Sequence, residues 1–234
     1  TLQRQTASVT LTKLISGPAA GQSQVNGSFN FVLDCGVDGS FPAAITVAGG
    51  ASSSVTVASL PVGASCAVTE PGRAAAPAGY DWDAPVIATS PVVIPAQGGT
   101  ATVTVTNPLK RLNSALTITK AISGAAAGVA QVNASFAFKL DCGADGQFST
   151  QVAVVNGATA SSVVSGVPAG ASCTVTETPG ATAPQGYTWD TPVFDKNPVV
   201  VPATGAAVTV LATNPLKRSL GSLTLTKQFA GPAD

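Results

Sequence analysis

The sequence predicts an all-β protein built from tandem antiparallel β-sandwich domains of immunoglobulin-like or prealbumin-like type. Three observations lead to this prediction. Val, Thr, Gly and Pro are abundant, which favours short strands and turns over helices. Long segments recur at a fixed spacing. Each recurring unit contains seven or eight short alternating segments separated by Gly, Pro, Asn and Asp, as in a β-sandwich.

The repeat spacing is 107 residues, the interval between Cys35 and Cys142. SFNFVLDCGVDGSF recurs as SFAFKLDCGADGQF, GYDWDAPV recurs as GYTWDTPV, and TNPLKR occurs twice. A unit of this length is a whole domain rather than a solenoid element. We expect a first repeat at residues 1–112, a second at 113–219, and the first strand of a third repeat of a longer array at 220–234.

Alternation and turn residues predict the strands of the first repeat. The interval between its two cysteines lacks the tryptophan of antibody-type domains, because Trp82 follows both Cys35 and Cys66. The expected strands lie near 8–15, 28–35, 43–48, 53–60, 65–70, 80–89, 91–95 and 100–107.

Composition excludes several classes of function. Eleven basic and eleven acidic residues give a neutral, weakly charged chain, so neither nucleic acid nor an anionic membrane is an expected partner. The chain has no histidine, which removes most general-base and metal chemistry, and we expect no cofactor, no metal and no conventional enzyme activity. No apolar run is long enough to enter a membrane, and no signal peptide is visible.

The four cysteines lie too far apart for a zinc or redox motif. Both cysteines of each repeat fall on apolar strand faces, which favours buried disulfides over free thiols. Disulfides in turn indicate an oxidising compartment. The expected pairs are Cys35–Cys66 and Cys142–Cys173.

Alternation also places polar residues on apolar faces. Lys13 lies on the apolar face of the first strand, Glu70 shares a face with Cys66, and Asn107 ends the apolar face of the last strand. The equivalent residues of the second repeat are Lys120, Glu177 and Asn214.

Such groups need compensating partners in a core. In one interpretation, lysine and glutamate form a buried ion pair and asparagine hydrogen-bonds beside it. In the other, burial lowers the pKa of the lysine, and its neutral amine attacks the asparagine side-chain carbonyl, expels ammonia and leaves an isopeptide bond. A protonated glutamic acid would then hydrogen-bond the asparagine carbonyl and carry the proton to the leaving amine. The residues alone leave both interpretations open.

Three segments of each repeat resemble the Cna B-type (CnaB) domains of bacterial adhesins and pilins: a lysine in the first strand, a glutamate before Pro-x-Gly-Tyr, and an asparagine ending the last strand. The segments are VTLTK at 9–13, TEPGRAAAPAGY at 69–80 and VTVTN at 103–107, repeated as LTITK, TETPGATAPQGY and LATN. The resemblance implies a Lys13–Asn107 isopeptide bond assisted by Glu70, and a Lys120–Asn214 bond assisted by Glu177. The repeats are equally similar to Ser-Cys-x-Val-Thr-Glu repeats of bacterial surface proteins, for which no cross-link is implied.

Other candidate sites have simpler structural interpretations. The aspartates of LDCGVDGSF and LDCGADGQF could form a calcium loop, but Asp-Gly is an ordinary turn signal. The Tyr/Trp segments could form a sugar-binding face, although two aromatics per domain are more often core residues. Two Asn-x-Ser glycosylation patterns are short and common. These residues are Asp34, Asp38, Asp141, Asp145, Tyr80, Trp82, Tyr187, Trp189, Asn26 and Asn133.

Together these features predict a structural stalk or fibre repeat of a bacterial cell-surface adhesin, pilus or extracellular filament. A bond between Lys13, near the entry of its domain, and Asn107, at the exit, would carry tension past residues 14–106. The expected partners are further copies of the same repeat, with a host or matrix ligand bound through other domains. The alternative is a surface module that itself binds a glycan or host protein.

Overall fold

The computed structural model describes residues 3–178 and 181–231 of the chain. The chain forms two compact units, with the main break after Ser114. Most of each repeat lies in one unit, and the predicted all-β fold is confirmed in both repeats.

From residue 3 onwards, the first repeat contains nine strands, one short α-helix and one 3-10 turn at Gly36–Asp38. Its last strand runs four residues past the predicted end, through Pro108 to Arg111. The elements are β1 (Thr6–Ser16), α1 (Ala19–Gln22), β2 (Gly27–Asp34), β3 (Ser40–Val47), β4 (Ser53–Pro61), β5 (Ser65–Gly72), β6 (Tyr80–Trp82), β7 (Val86–Ala88), β8 (Val92–Val93) and β9 (Thr100–Arg111).

Two sheets form the sandwich of the first repeat. One has the order β4-β1-β9-β6, with β7 also paired to β9, and the other has the order β3-β2-β5-β8. Neighbouring strands are antiparallel, as predicted, with one exception: β1 and β9 are parallel, and Lys13 is aligned with Val105. The first and last strands of the domain are therefore hydrogen-bonded neighbours that run in the same direction.

The second repeat has the same topology. Its sheets have the orders β13-β10-β18-β15, with β16 paired to β18, and β12-β11-β14-β17, and β10 is parallel to β18. The elements are β10 (Asn113–Gly124), α2 (Ala126–Val129), β11 (Ala134–Asp141), β12 (Gln147–Val154), β13 (Ala160–Pro168), β14 (Ser172–Thr178), β15 (Tyr187–Trp189), β16 (Val193–Phe194), β17 (Val199–Val200) and β18 (Val208–Arg218).

One strand prediction is wrong. The segment 80–89 was expected to be a single strand, but it is divided into β6 and β7. The Asp83 N–H still donates to the Pro108 carbonyl in register with β6, but Pro108 has no N–H to return the bond and Pro85 has none to continue the pairing. Pairing with β9 resumes at Val86, shifted by one residue.

The sandwich core follows the predicted alternation. Val9, Leu11 and Lys13 of β1 are buried, and the residues between them are half-buried. Gly17 follows β1 with φ of 114°, and a Cβ there would clash with the Leu109 carbonyl oxygen of β9. Only glycine allows the chain to leave the parallel pair so close to its neighbour.

Both expected disulfides are present, Cys35–Cys66 and Cys142–Cys173. In the first repeat the bond joins the residue after β2 to the beginning of β5. It therefore fixes the two central strands of one sheet to each other.

Residues 219–231 contain no helix or strand. The side chains of Leu223, Leu225 and Phe229 are almost fully exposed. That this segment opens a third repeat stays a prediction, and its last residues, 232–234, lie outside the described part of the chain. Within the described residues, no helix is long and apolar enough to cross a membrane.

Replacing both Cys35 and Cys66 by serine should lower the free energy of unfolding of the first repeat by roughly 3–4 kcal/mol, because the bond closes a loop of 31 residues. Urea unfolding of the full chain measures this. The matched Cys142→Ser, Cys173→Ser variant should lower only the second transition. An unchanged first transition in the Cys35, Cys66 variant would contradict the stabilising role.

Candidate functional site

The first repeat buries a lysine in its core. The Lys13 side chain has no exposed surface, and Asn107 on the adjacent strand β9 is equally buried. Strand geometry explains both positions, because the two residues continue the inward-facing sets of β1 and β9.

Glu70 reaches this pair from the opposite sheet. Its side chain is 1% exposed, and its Oε2 lies 3.2 Å from Lys13 Nζ. Its Oε1 accepts a hydrogen bond of 2.9 Å from Asn107 Nδ2. One carboxylate therefore contacts the lysine amine and the asparagine amide at the same time, and it joins the two sheets across the core.

The hydrogen bonding differs from the sequence-based expectation in one respect. A protonated glutamic acid was expected to donate to the asparagine carbonyl oxygen, but Glu70 accepts from Asn107 Nδ2, and Asn107 Oδ1 is buried without a hydrogen-bond partner. In this arrangement Glu70 lies between the amine and the amide nitrogen. That geometry suits proton transfer between the two nitrogens better than stabilisation of an oxyanion.

An aromatic wall that the sequence analysis did not identify surrounds the lysine. Lys13 Nζ lies 4.6 Å from the centroid of the Phe29 ring and 5.9 Å from that of Phe31. Trp82 packs edge-on against Phe29 with 6.0 Å between ring centroids. The rings exclude water and leave the amine few polar partners. The alternation of Phe29 and Phe31 on β2 was the available signal.

Burial lowers the pKa of Lys13 to about 8, because the charged amine loses its hydration, while the Glu70 carboxylate acts in the opposite direction. A substantial fraction of this lysine is therefore neutral near physiological pH. A neutral amine is a nucleophile, which an exposed lysine at the same pH is not.

The second repeat reproduces the cluster. Lys120 Nζ lies 3.1 Å from Glu177 Oε2, and Asn214 Nδ2 donates to Glu177 Oε1 at 2.5 Å. The Lys120–Glu177 pair has an ion-pair distance but not the angles of a hydrogen bond, so we regard it as a close charge contact. Burial lowers the pKa of Lys120 as well.

The second cluster is slightly more open than the first. The Glu177 side chain is 8% exposed, compared with 1% for Glu70. A cavity of about 210 Å³, lined in part by Glu177, Asn214 and Trp189, lies beside it. The second cluster is therefore less enclosed than the first.

The four candidate calcium-loop aspartates form turns. Asp34 Oδ1 accepts from the Gly36 N–H, and Asp141 Oδ1 accepts from the Gly143 N–H, each at 3.0 Å. Asp38 pairs with Arg4. Within residues 3–178 and 181–231, no group of three or more acidic or cysteine side chains is arranged to hold a metal ion.

Of the four aromatic residues considered for a sugar-binding face, Trp82 is buried, and Tyr80, Tyr187 and Trp189 are half-buried. Trp82 is 7% exposed, and its Nε1 donates to the Ala74 carbonyl at 2.9 Å. Trp189 makes the same bond to Ala181 at 2.8 Å and packs edge-on against Phe136. These contacts use both the ring and its only polar atom.

The two candidate glycosylation asparagines connect loops. Asn26 Oδ1 accepts from the Gly49 N–H, and Asn133 Oδ1 accepts from the Asn156 N–H, each at 2.9 Å. The side chains are exposed but already hold neighbouring turns together.

A protein family described as a domain of unknown function, DUF5979, matches residues 9–109 and 116–216. The chain belongs to this family. Each DUF5979 domain extends from the first strand of a repeat to its last and contains one complete Lys-Glu-Asn cluster. No curated protein sequence matches the chain at a significant level.

Several solved structures are similar to the DUF5979 pair. The Bacillus anthracis TIE protein is 19% identical with a TM-score of 0.43, covering 90% of this chain and 34% of its own, so this chain spans about a third of it. The major pilin T-13 of Streptococcus pyogenes is 12% identical with a TM-score of 0.32, covering 91% and 97%. A Mobiluncus mulieris adhesin containing intramolecular disulfide, isopeptide and ester bond cross-links is 15% identical with a TM-score of 0.34, covering 92% and 100%. At such low scores these similarities carry no argument about the DUF5979 clusters.

Trp82→Ala should lower the free energy of unfolding of the first DUF5979 domain by roughly 3–5 kcal/mol, because it removes a buried ring from the wall around Lys13. Urea unfolding followed by circular dichroism measures this. The exposed Val37→Ala serves as control and should change stability by less than about 0.5 kcal/mol. A neutral Trp82→Ala would contradict a core role.

Proposed function

We propose that the chain is a structural segment of an extracellular stalk or fibre, and that each DUF5979 domain closes a Lys–Asn isopeptide bond within itself. The observation that carries the proposal is the buried glutamate that contacts both the lysine amine and the asparagine amide in each repeat. The proposed bonds are Lys13–Asn107 and Lys120–Asn214.

The reaction needs only groups that are already in the cluster. The neutral Lys13 amine attacks Asn107 Cγ and forms a C–N bond. Glu70 takes a proton from the amine through Oε2 and delivers it to Asn107 Nδ2 through Oε1, which lie against these nitrogens. The Cγ–Nδ2 bond breaks and ammonia leaves. The glutamate regains its starting protonation state, so the reaction is a single autocatalytic turnover and not enzyme catalysis on an external substrate.

Water exclusion favours this reaction over hydrolysis of the amide. Lys13 and Asn107 have no exposed surface, and the Phe29 ring lies against the amine. A competing water molecule would have to enter between packed strands.

The position of the bond supports a mechanical function. Lys13 and Asn107 lie on the first and last strands of the domain, and these strands are parallel neighbours. Force applied at the two ends of the domain would shear β1 past β9. A covalent bond between them would carry that force, so residues 14–106 would not have to unfold.

The disulfides support an extracellular location, since such bonds persist in oxidising compartments. We propose further copies of the repeat as the partners in a longer chain or filament, with any host or matrix ligand bound by other domains. Glycan binding through the Tyr/Trp segments is not favoured, because Trp82 is committed to the core.

The intact mass of the reduced chain should be lower than its sequence mass by two ammonia molecules, one for each cluster. Lys13→Ala or Asn107→Ala should restore one of them, because each removes a reacting group. Lys110→Ala is the control, since this exposed lysine pairs with Asp83 outside the cluster and its loss should leave both bonds intact. A folded wild-type chain at full sequence mass would contradict the cross-link and leave a plain buried polar cluster.

The cross-link of the first repeat should form more slowly as the pH falls below about 8, because the Lys13 amine then becomes protonated and cannot attack. The measurement starts from unreacted, unfolded chain recovered from inclusion bodies and refolded at a series of pH values. Peptide masses then give the reacted fraction with time. A rate that rises towards acid pH would contradict attack by the neutral amine.

A further inference from the structure

Strand β5, which carries Glu70, is only partly hydrogen-bonded to its outer neighbour β8. In the first repeat β8 pairs with β5 only at Ser65 and Cys66. Val68 is the next residue whose backbone groups point to that edge, because the N–H and C=O groups of alternate strand residues point to the same side. Glu70 follows two positions later on the same inward face.

The Ser90 side chain provides the hydrogen bonds that β8 does not make to β5 at this position. The Val68 N–H donates to Ser90 Oγ at 2.9 Å, and the Ser90 hydroxyl lies 3.5 Å from the Val68 carbonyl oxygen. Val68 is 3% exposed, so water cannot readily replace the bond. Ser90 thus extends the pairing of β5 beyond the end of β8, towards Glu70.

The second repeat does the same with a different side chain. The Val175 N–H donates to Asn197 Oδ1 at 2.9 Å, and Asn197 Nδ2 donates to the Val175 carbonyl at 2.8 Å. Val175 is fully buried, and Glu177 follows it by two residues. Position 197 is the repeat equivalent of position 90, so serine and asparagine satisfy the same buried backbone groups.

We propose that Ser90 and Asn197 are positioning residues for the cross-linking reaction. Each fixes the strand that carries the glutamate, and through it places the two carboxylate oxygens against the lysine and asparagine nitrogens. The proposal rests on the proposed function, because it assigns these residues a role in isopeptide formation. Asn197 makes two short hydrogen bonds and Ser90 one short and one long, so Asn197 holds its strand more firmly.

The test compares the two repeats within one chain. Unreacted full-length chain is refolded at fixed pH, samples are quenched in denaturant, and the cross-linked peptides of each repeat are quantified by mass. In Ser90→Ala the first repeat should react at least about tenfold more slowly, since a misplacement of 1 Å can cost about a hundredfold. The second repeat of the same molecule should keep its wild-type rate.

Conservative variants separate positioning from general destabilisation. Ser90→Thr and Ser90→Asn keep an acceptor for the Val68 N–H and should react at close to the wild-type rate. Val47→Ala, a buried change at the end of β3 opposite Gly27, is a control for loss of stability and should not slow the reaction. Equal slowing by Ser90→Ala and Val47→Ala would overturn the proposal.

The second repeat provides an independent comparison if Ser90→Ala does not fold. Asn197→Ser keeps one partner of Val175, whereas Asn197→Leu removes both, so the expected order of rates is wild type, then Asn197→Ser, then Asn197→Leu. Equal rates in all three would overturn the proposal while leaving the cross-link intact. Absence of ammonia loss from the wild-type chain would instead overturn the proposed function.

Discussion

The fold of each repeat is organised around a lysine amine that has been removed from water. Burial of a charged amine is unfavourable unless a partner compensates it, and Glu70 is that partner in the first repeat. Because Glu70 belongs to the sheet opposite Lys13, it can pair with the buried amine only when the two sheets pack in one relative position. The disulfide at the beginning of β5 and the Ser90 contact at Val68 hold the strand that carries Glu70. The free-energy cost of burying the amine therefore favours the one packing of the two sheets that brings Glu70 to Lys13.

The same burial changes the protonation of the lysine and the hydrogen bonding around it. Loss of hydration lowers the pKa of Lys13, and the aromatic wall offers the amine no alternative hydrogen-bond acceptor. A buried ion pair with the asparagine hydrogen-bonded beside it accounts for the lysine, the glutamate and Asn107 Nδ2, but it leaves Asn107 Oδ1 buried without a partner. An unsatisfied buried carbonyl is costly. Its presence on the last strand of both repeats is one reason for proposing a reaction there rather than a purely stabilising polar cluster.

Much of this arrangement could be predicted from the sequence, because strand alternation is local. Lys13 and Asn107 continue regular apolar faces, so the two-residue alternation of strand side chains predicts that they point inward. The same alternation predicts the cysteine pairs. The parallel pairing of β1 with β9 could not be read in this way, since it depends on contacts between distant segments. The contact of Glu70 with the amide nitrogen of Asn107 and the roles of Ser90 and Asn197 are likewise long-range. Repetition at 107 residues reveals which positions correspond but not which atoms meet.

The parallel pair also determines how a cross-linked domain would respond to load. In a hairpin, force on the two strand ends opens hydrogen bonds one after another, but parallel first and last strands are loaded in shear along the whole ladder from Ser8 to Pro108. A bond between Lys13 and Asn107 lies within that ladder, so it would become taut before the strands could separate. The disulfide lies in the sheet opposite the ladder and would stabilise the bypassed region without carrying the load. The two covalent bonds would therefore have separate roles: the isopeptide bond would carry the force, and the disulfide would hold β5, the strand that carries Glu70, in place.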